Sequence, residues 1–149
     1  MIAAIYAVLT VALAPISYQA VQVRVAEALT VLPFFSTLSI PGLFVGCLVA
    51  NLLGLLFTGL GWYDVVFGSL ATLLAAYLTS KMPRPFLAPI PPIVVNALVV
   101  GAYVSALSHL PYWSTALYIG VGETIAGYAL GYPLLIFLLR RPHLMRQLQ

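Results

Sequence analysis

The stretch A-P-I-S-Y-Q-A-V-Q-V-R-V-A-E-A-L-T-V-L-P, Ala14–Pro33, sets Arg24 and Glu27 among apolar runs in a chain that otherwise avoids charge. Only 6% of the 149 residues are charged, 63% are hydrophobic, and the mean hydropathy is +1.10. The acids number three: Glu27, Asp64 and Glu123. An ionised side chain near the bilayer centre costs about 2.5–3.5 kcal/mol on insertion scales, so ions inside such a chain mark function by default. This composition excludes an ordinary soluble domain. A span needs about 20 apolar residues, and a chain of 149 residues with short connections therefore holds about six. The expected fold is an all-α integral membrane protein, a six-transmembrane-helix bundle forming a single domain over residues 1–149, with no room for a soluble catalytic domain.

Outward from the opening stretch, the spans follow from apolar runs and their breaks. Span one covers Ile2–Ala14 and stops at Pro15. Ala12-Leu13-Ala14 has the look of a signal-peptide cleavage site, but no Lys or Arg precedes the apolar run, so it reads as a span. At about 20 Å of helix it is short of a roughly 30 Å core, which implies a thinned bilayer or a start further upstream. Tyr18–Val25 alternates apolar and polar residues, the period of an extended connection. Span two is expected at Val25–Phe35. Span three runs from Pro41 to Phe57 and carries Gly42, Gly46, Ala50 and Gly54 along one face, a row that admits a close neighbour. Spans four, five and six are expected at Asp64–Ser80, Leu87–Leu107 and Tyr112–Leu139, with the break Lys81-Met82-Pro83-Arg84-Pro85 between four and five.

Five of the six basic residues lie in that break or after span six, which places both termini and Lys81–Arg84 in the cytoplasm. Arg24 is then the single basic residue on the outer side. No aromatic–basic pattern points to nucleic acid. The one cysteine, Cys47, lies in an apolar run and forms no internal disulfide. Enzymatic chemistry lacks support: there is no HExxH, GxSxG or Walker A motif, and His109 and His143 have no evident metal partners. No metal site and no cofactor are expected on this chain.

Binding residues are easier to find. Glu123 sits about 16 Å into span six, with Gly120 and Gly127 on its face leaving room for a ligand; the bland alternative is a structural ion pair with Arg24. Arg24 and Glu27, three residues apart, equally fit a local pair on the first turn of span two. Asp64 precedes an apolar helical run and reads first as an N-cap. Gln22, Asn51 and Asn96 add polar contacts at outer or middle depth. Trp62, Tyr63, Tyr112 and Trp113 mark two outer turns as a belt, from which Tyr63 and Trp113 are candidates to stack on a flat ligand.

The opening stretch resembles the queuosine-precursor transporter (QueT) family, substrate-binding S components of energy-coupling-factor (ECF) transporters. The resemblance continues through I-P-G-L-F-V-G-C-L-V-A-N (40–51), D-V-V-F-G-S-L-A-T-L-L-A-A-Y (64–77), L-A-P-I-P-P-I-V-V-N-A-L (87–98) and G-E-T-I-A-G-Y-A-L-G-Y-P (122–133). Gln19-Ala20 departs from the family's Gly-Pro after the Ser-Tyr pair. The resemblance implies a multi-pass protein of the bacterial cytoplasmic membrane that binds a 7-deazaguanine derivative from outside. It also implies carriage by a transmembrane coupling subunit and two cytoplasmic ATPase subunits that consume ATP, with Ala3 and Ala7 matching the family's A-x-x-x-A partner interface. A guanine-like edge offers two N–H donors to a carboxylate such as Glu123, and an aminomethyl substituent would bring a cation for Glu27 or Asp64. Competing readings are an S component for another vitamin-like solute, an integral-membrane lipid-modifying enzyme, and a purely structural subunit.

Overall fold

The computed structural model describes residues 1–13, 24–56 and 61–141, and these residues are helical with no strand among them. Six helices follow in order: α1 Ile2–Ala12, α2 Val25–Phe34, α3 Ser39–Gly54, α4 Asp64–Thr79, α5 Pro85–Ser108 and α6 Tyr112–Leu139. Each falls on an expected span, with ends shifted by a few residues. The expected extended connection lies mostly outside the described residues; at its described end, Arg24 has φ −78° and ψ 97°, an extended conformation.

The central element is α2, which packs against α1, α3, α4 and α6. That position explains why it lacks a polar face: Ala26, Glu27, Ala28, Thr30, Val31, Leu32 and Pro33 are all buried. Its turns are of the 3-10 type throughout. At about 2.0 Å of rise per residue, ten residues reach about 20 Å rather than 15 Å. The tighter winding thus makes up part of the length that the sequence lacks.

The small-residue row of α3 packs on α1. A Cβ at Gly42 would lie 3.2 Å from Ile2 Cβ, and one at Gly46 would lie 2.9 Å from the Ala3 carbonyl oxygen and 2.8 Å from Tyr6 Cβ. Tyr6, Ala7, Leu43, Cys47, Ala50, Ala26 and Ala76 close over this contact as a core cluster. The α5–α6 hairpin is equally close, since a Cβ at Gly101 would stand 3.0 Å from Ala116 Cα.

Two helices depart from regular α geometry. Helix α4 opens with a π segment, Asp64–Gly68, and α6 is interrupted by another, Ile125–Gly131. The second places Gly127 against Pro89 of α5 and Gly131 against Ala28 of α2, each with only 3.0 Å for an added Cβ. One widened turn therefore keeps two glycines facing two different neighbours. Such turns recur at functional sites, and both flank acidic residues here.

Outward surfaces are apolar: Val45, Val49 and Leu53 on α3, Phe67, Leu70 and Leu74 on α4, and Leu117, Val121 and Phe137 on α6 are exposed. The acids lie inside. By length and hydropathy two helices, Pro85–Ser108 and Tyr112–Leu139, suffice to cross a bilayer, and the other four are shorter apolar helices.

Candidate functional site

Asp64, at the start of α4, is the hub of a first polar layer. Arg24 Nη2 donates to its Oδ2 at 3.0 Å and its Oδ1 at 3.3 Å, and Tyr103 Oη donates to Oδ1 at 2.5 Å. The Asn51 amide, from α3, donates to the Asp64 backbone carbonyl at 2.8 Å. That bond sits where the π segment begins, so a side chain takes up a carbonyl in the disturbed helical ladder. Gly68 completes the layer by lacking a side chain. A Cβ there would stand 3.0 Å from both Asn51 Nδ2 and Asp64 Oδ1, and 3.2 Å from Tyr103 Oη.

A second layer joins α1, α2, α5 and α6. Tyr6 Oη donates to Glu27 Oε1, and Asn96 Nδ2 donates to Glu123 Oε1 at 3.0 Å. Asn96 also interacts with Glu27, and the Glu27 and Glu123 carboxylates are near enough to act on one another. Arg24 acts on both of them, so the two layers form one cluster. Every member is enclosed: Arg24 and Glu123 are 5% exposed, and Glu27, Asn51 and Asp64 1%.

The cluster has open acceptors. Glu27 Oε2, Asn51 Oδ1 and Asn96 Oδ1 are buried acceptors with no donor among the described residues. The amide orientations are fixed by chemistry, because each Nδ2 already faces an oxygen that only accepts. A buried polar group left unpaired costs about 1–3 kcal/mol. A ligand that brings N–H or O–H donors would satisfy these three acceptors. A separate cavity of about 220 Å³, lined by Phe44, Leu48, Val65, Val66, Ser69 and Leu70, is apolar and includes none of these groups.

Several expectations need correction. Arg24 does not make the local pair with Glu27, nor the ion pair with Glu123; it reaches Asp64 across the bundle. Asp64 is not at the cap position, which Tyr63 holds, and its carboxylate accepts from Arg24 and Tyr103 instead. The space beside Glu123 is occupied by α5, since Gly120 faces Ala97 and Gly127 faces Pro89 and Ile93. The Ala3 backbone lies against Gly42 and Gly46 of α3, with Ala3 partly buried, and Ala7 is buried in the core cluster. Helix α1 instead turns Ala4, Val8 and Ala12 outward. Tyr63 is half-exposed and stacks on Phe67 at 6.1 Å, while Trp113 is exposed and meets Tyr112 edge-on at 4.9 Å; both lie outside the buried cluster. Gln22 lies outside the described residues.

Tyr6, Tyr103 and Gly68 were missed. A signal existed for Tyr103, which stands seven residues after Asn96 and so shares its face of α5. Tyr6 carries a phenol in an apolar helix, where burial demands a partner. Among the described residues no three metal-ligating side chains gather.

A helical bundle with an apolar exterior, a membrane-compatible pair of long helices and an enclosed polar cluster has the character of a membrane transport protein. The chain belongs to the QueT transporter family, whose profile matches residues 1–140. It is also 40% identical, over 74 residues, to the queuosine precursor transporter QueT of Lactococcus lactis subsp. cremoris (strain MG1363). That alignment takes in 48% of this chain and 41% of the relative, so the match spans less than half of the relative's length. No solved structure matches. The family is one of transporters.

Proposed function

We propose that this chain is the substrate-binding S component of an ECF-type importer, and that it takes up a queuosine precursor, a 7-deazaguanine derivative. The observation that carries the reading is the acceptor surplus around Glu27, Asn51 and Asn96, beside the Glu123 carboxylate. A 7-deazaguanine presents adjacent N–H groups on its amidine edge and a further ring N–H. Glu123 accepts the edge pair, Asn96 Oδ1 accepts the ring N–H, and Arg24 donates to the ring carbonyl. The name of the Lactococcus relative and the family both agree with this ligand class.

In this reading all six helices span the bacterial cytoplasmic membrane, both termini and Lys81–Arg84 lie in the cytoplasm, and the site opens outward. Transport relies on a transmembrane coupling subunit and two ATPase subunits, which meet α1 on its exposed Ala4–Val8–Ala12 side. Native mass spectrometry of the purified chain tests the ligand: a bound 7-deazaguanine supports it, and a different vitamin-like solute held at full occupancy refutes it. Topology is tested in a Cys47→Ala background. Ser80→Cys should resist an impermeant thiol reagent on intact cells while Ser114→Cys reacts, and the reverse pattern inverts the orientation.

A further inference from the structure

Glu27 and Glu123 stand out once the charges of the cluster are matched. Asp64 has Arg24 as its ion-pair partner and Tyr103 as an additional donor. Glu27 accepts from Tyr6 and Glu123 from Asn96, both neutral donors. The two carboxylates act on one another, and Asn96 contacts both of them. Arg24 acts on both as well, but among the described residues its ion pair is with Asp64. Three buried acids, Glu27, Asp64 and Glu123, thus share one buried guanidinium among the described residues, and a cation from outside would balance the excess.

Position adds to the charge argument. Glu27 Oε2 is buried and lacks a donor, whereas Oε1 is held by Tyr6. The tyrosine therefore fixes the carboxylate with its second oxygen free to receive a ligand group. Thr30 supports the same turn, its hydroxyl donating to the Glu27 carbonyl at 2.6 Å. Glu123, by contrast, is tied to Asn96 across the α5–α6 hairpin.

We infer that Glu27 reads a positive charge on the ligand, so that this site selects a deazaguanine bearing an ammonium group over an isosteric neutral one. Glu123 takes the N–H edge, and Glu27 Oε2 takes the ammonium. The inference rests on the proposed function but concerns selectivity within it. A charge-assisted hydrogen bond in a dry site is strong enough to separate the two ligands by about 30-fold or more.

The test uses the full chain in lipid nanodiscs, titrated calorimetrically with 7-aminomethyl-7-deazaguanine and with 7-cyano-7-deazaguanine. The wild type should bind the amine about 30-fold or more tightly than the nitrile. Glu27→Gln should lose about 30-fold for the amine and change the nitrile by less than about threefold, while Glu27→Asp should recover part of the amine affinity. Equal losses for both ligands in a folded Glu27→Gln protein would make Glu27 structural and overturn the inference, leaving the proposed function intact. If Glu27→Gln does not fold, the wild-type ratio decides, and near-equal affinities overturn the inference. Failure of the wild type to bind either compound overturns the proposed function and this inference together.

Discussion

Replacing Asp64 with alanine separates two accounts of that residue by magnitude. An N-cap at a helix start contributes about 1 kcal/mol. The structure gives Asp64 a different role, with Arg24 at 3.0 Å, Tyr103 at 2.5 Å, and 1% exposure. Asp64→Ala deprives Arg24 of its carboxylate in an enclosed site, a loss of about 3–5 kcal/mol. For a chain of this size, each kcal/mol lowers the melting temperature by about 2–4 °C, so the variant should melt about 6–20 °C early. Cys47 supplies the assay, because it is the one cysteine and is fully buried, accepting hydrogen bonds from Thr72 and Asn51. A fluorogenic thiol reagent therefore reports unfolding as the protein is heated. Arg24→Met combined with Asp64→Leu should recover more than half of the loss, since neither charge is left alone. A shift of only about 2–4 °C for Asp64→Ala, or a double variant no more stable than the single one, would refute the buried-pair account.

Gly68→Ala should lower thermal stability by about 1–3 kcal/mol and weaken ligand binding, because its Cβ would press on Asn51 and Asp64 at 3.0 Å; paired melting and titration check this. Gly46→Val should cost more, since backbone of α1 stands 2.9 Å from the new Cβ and cannot yield as a side chain does; the same thiol assay reads it. Trp113→Ala should leave ligand affinity within about twofold, because that ring is 77% exposed and outside the cluster. Calorimetry would expose a stacking role as a larger loss.

The six helices were legible because apolar runs and Pro or Gly breaks are local signals. The residues bearing the site were legible for a related reason: in a chain with three acids, each buried ion is conspicuous. Their pairing was not. Arg24 and Glu27 satisfy the local spacing rule, yet Arg24 stands in the extended cap position before the helix rather than on its first turn, and the two side chains take different partners. Asp64 obeys the rule for a cap, but the π segment that begins there redirects its carboxylate into the bundle. Nothing local announces a π turn, and its glycines read equally well as packing residues. The Ala3–Ala7 spacing marks a face of α1 that lies against the glycines of α3, a contact that only the tertiary fold reveals.

The central claim is that this enclosed cluster recognises the N–H edge of a 7-deazaguanine through Glu123. Its most direct test is the affinity of Glu123→Gln for that ligand in nanodiscs, beside the wild type. The substitution keeps the side chain's size but turns one acceptor oxygen into a donor that faces the ligand's own N–H groups and Asn96 Nδ2. Removing a charge-assisted pair and leaving buried donors opposed costs several kcal/mol, or about 100-fold or more in affinity. The account predicts that loss in a protein whose Cys47 remains protected to near the wild-type melting temperature. Wild-type affinity in the folded variant would contradict it.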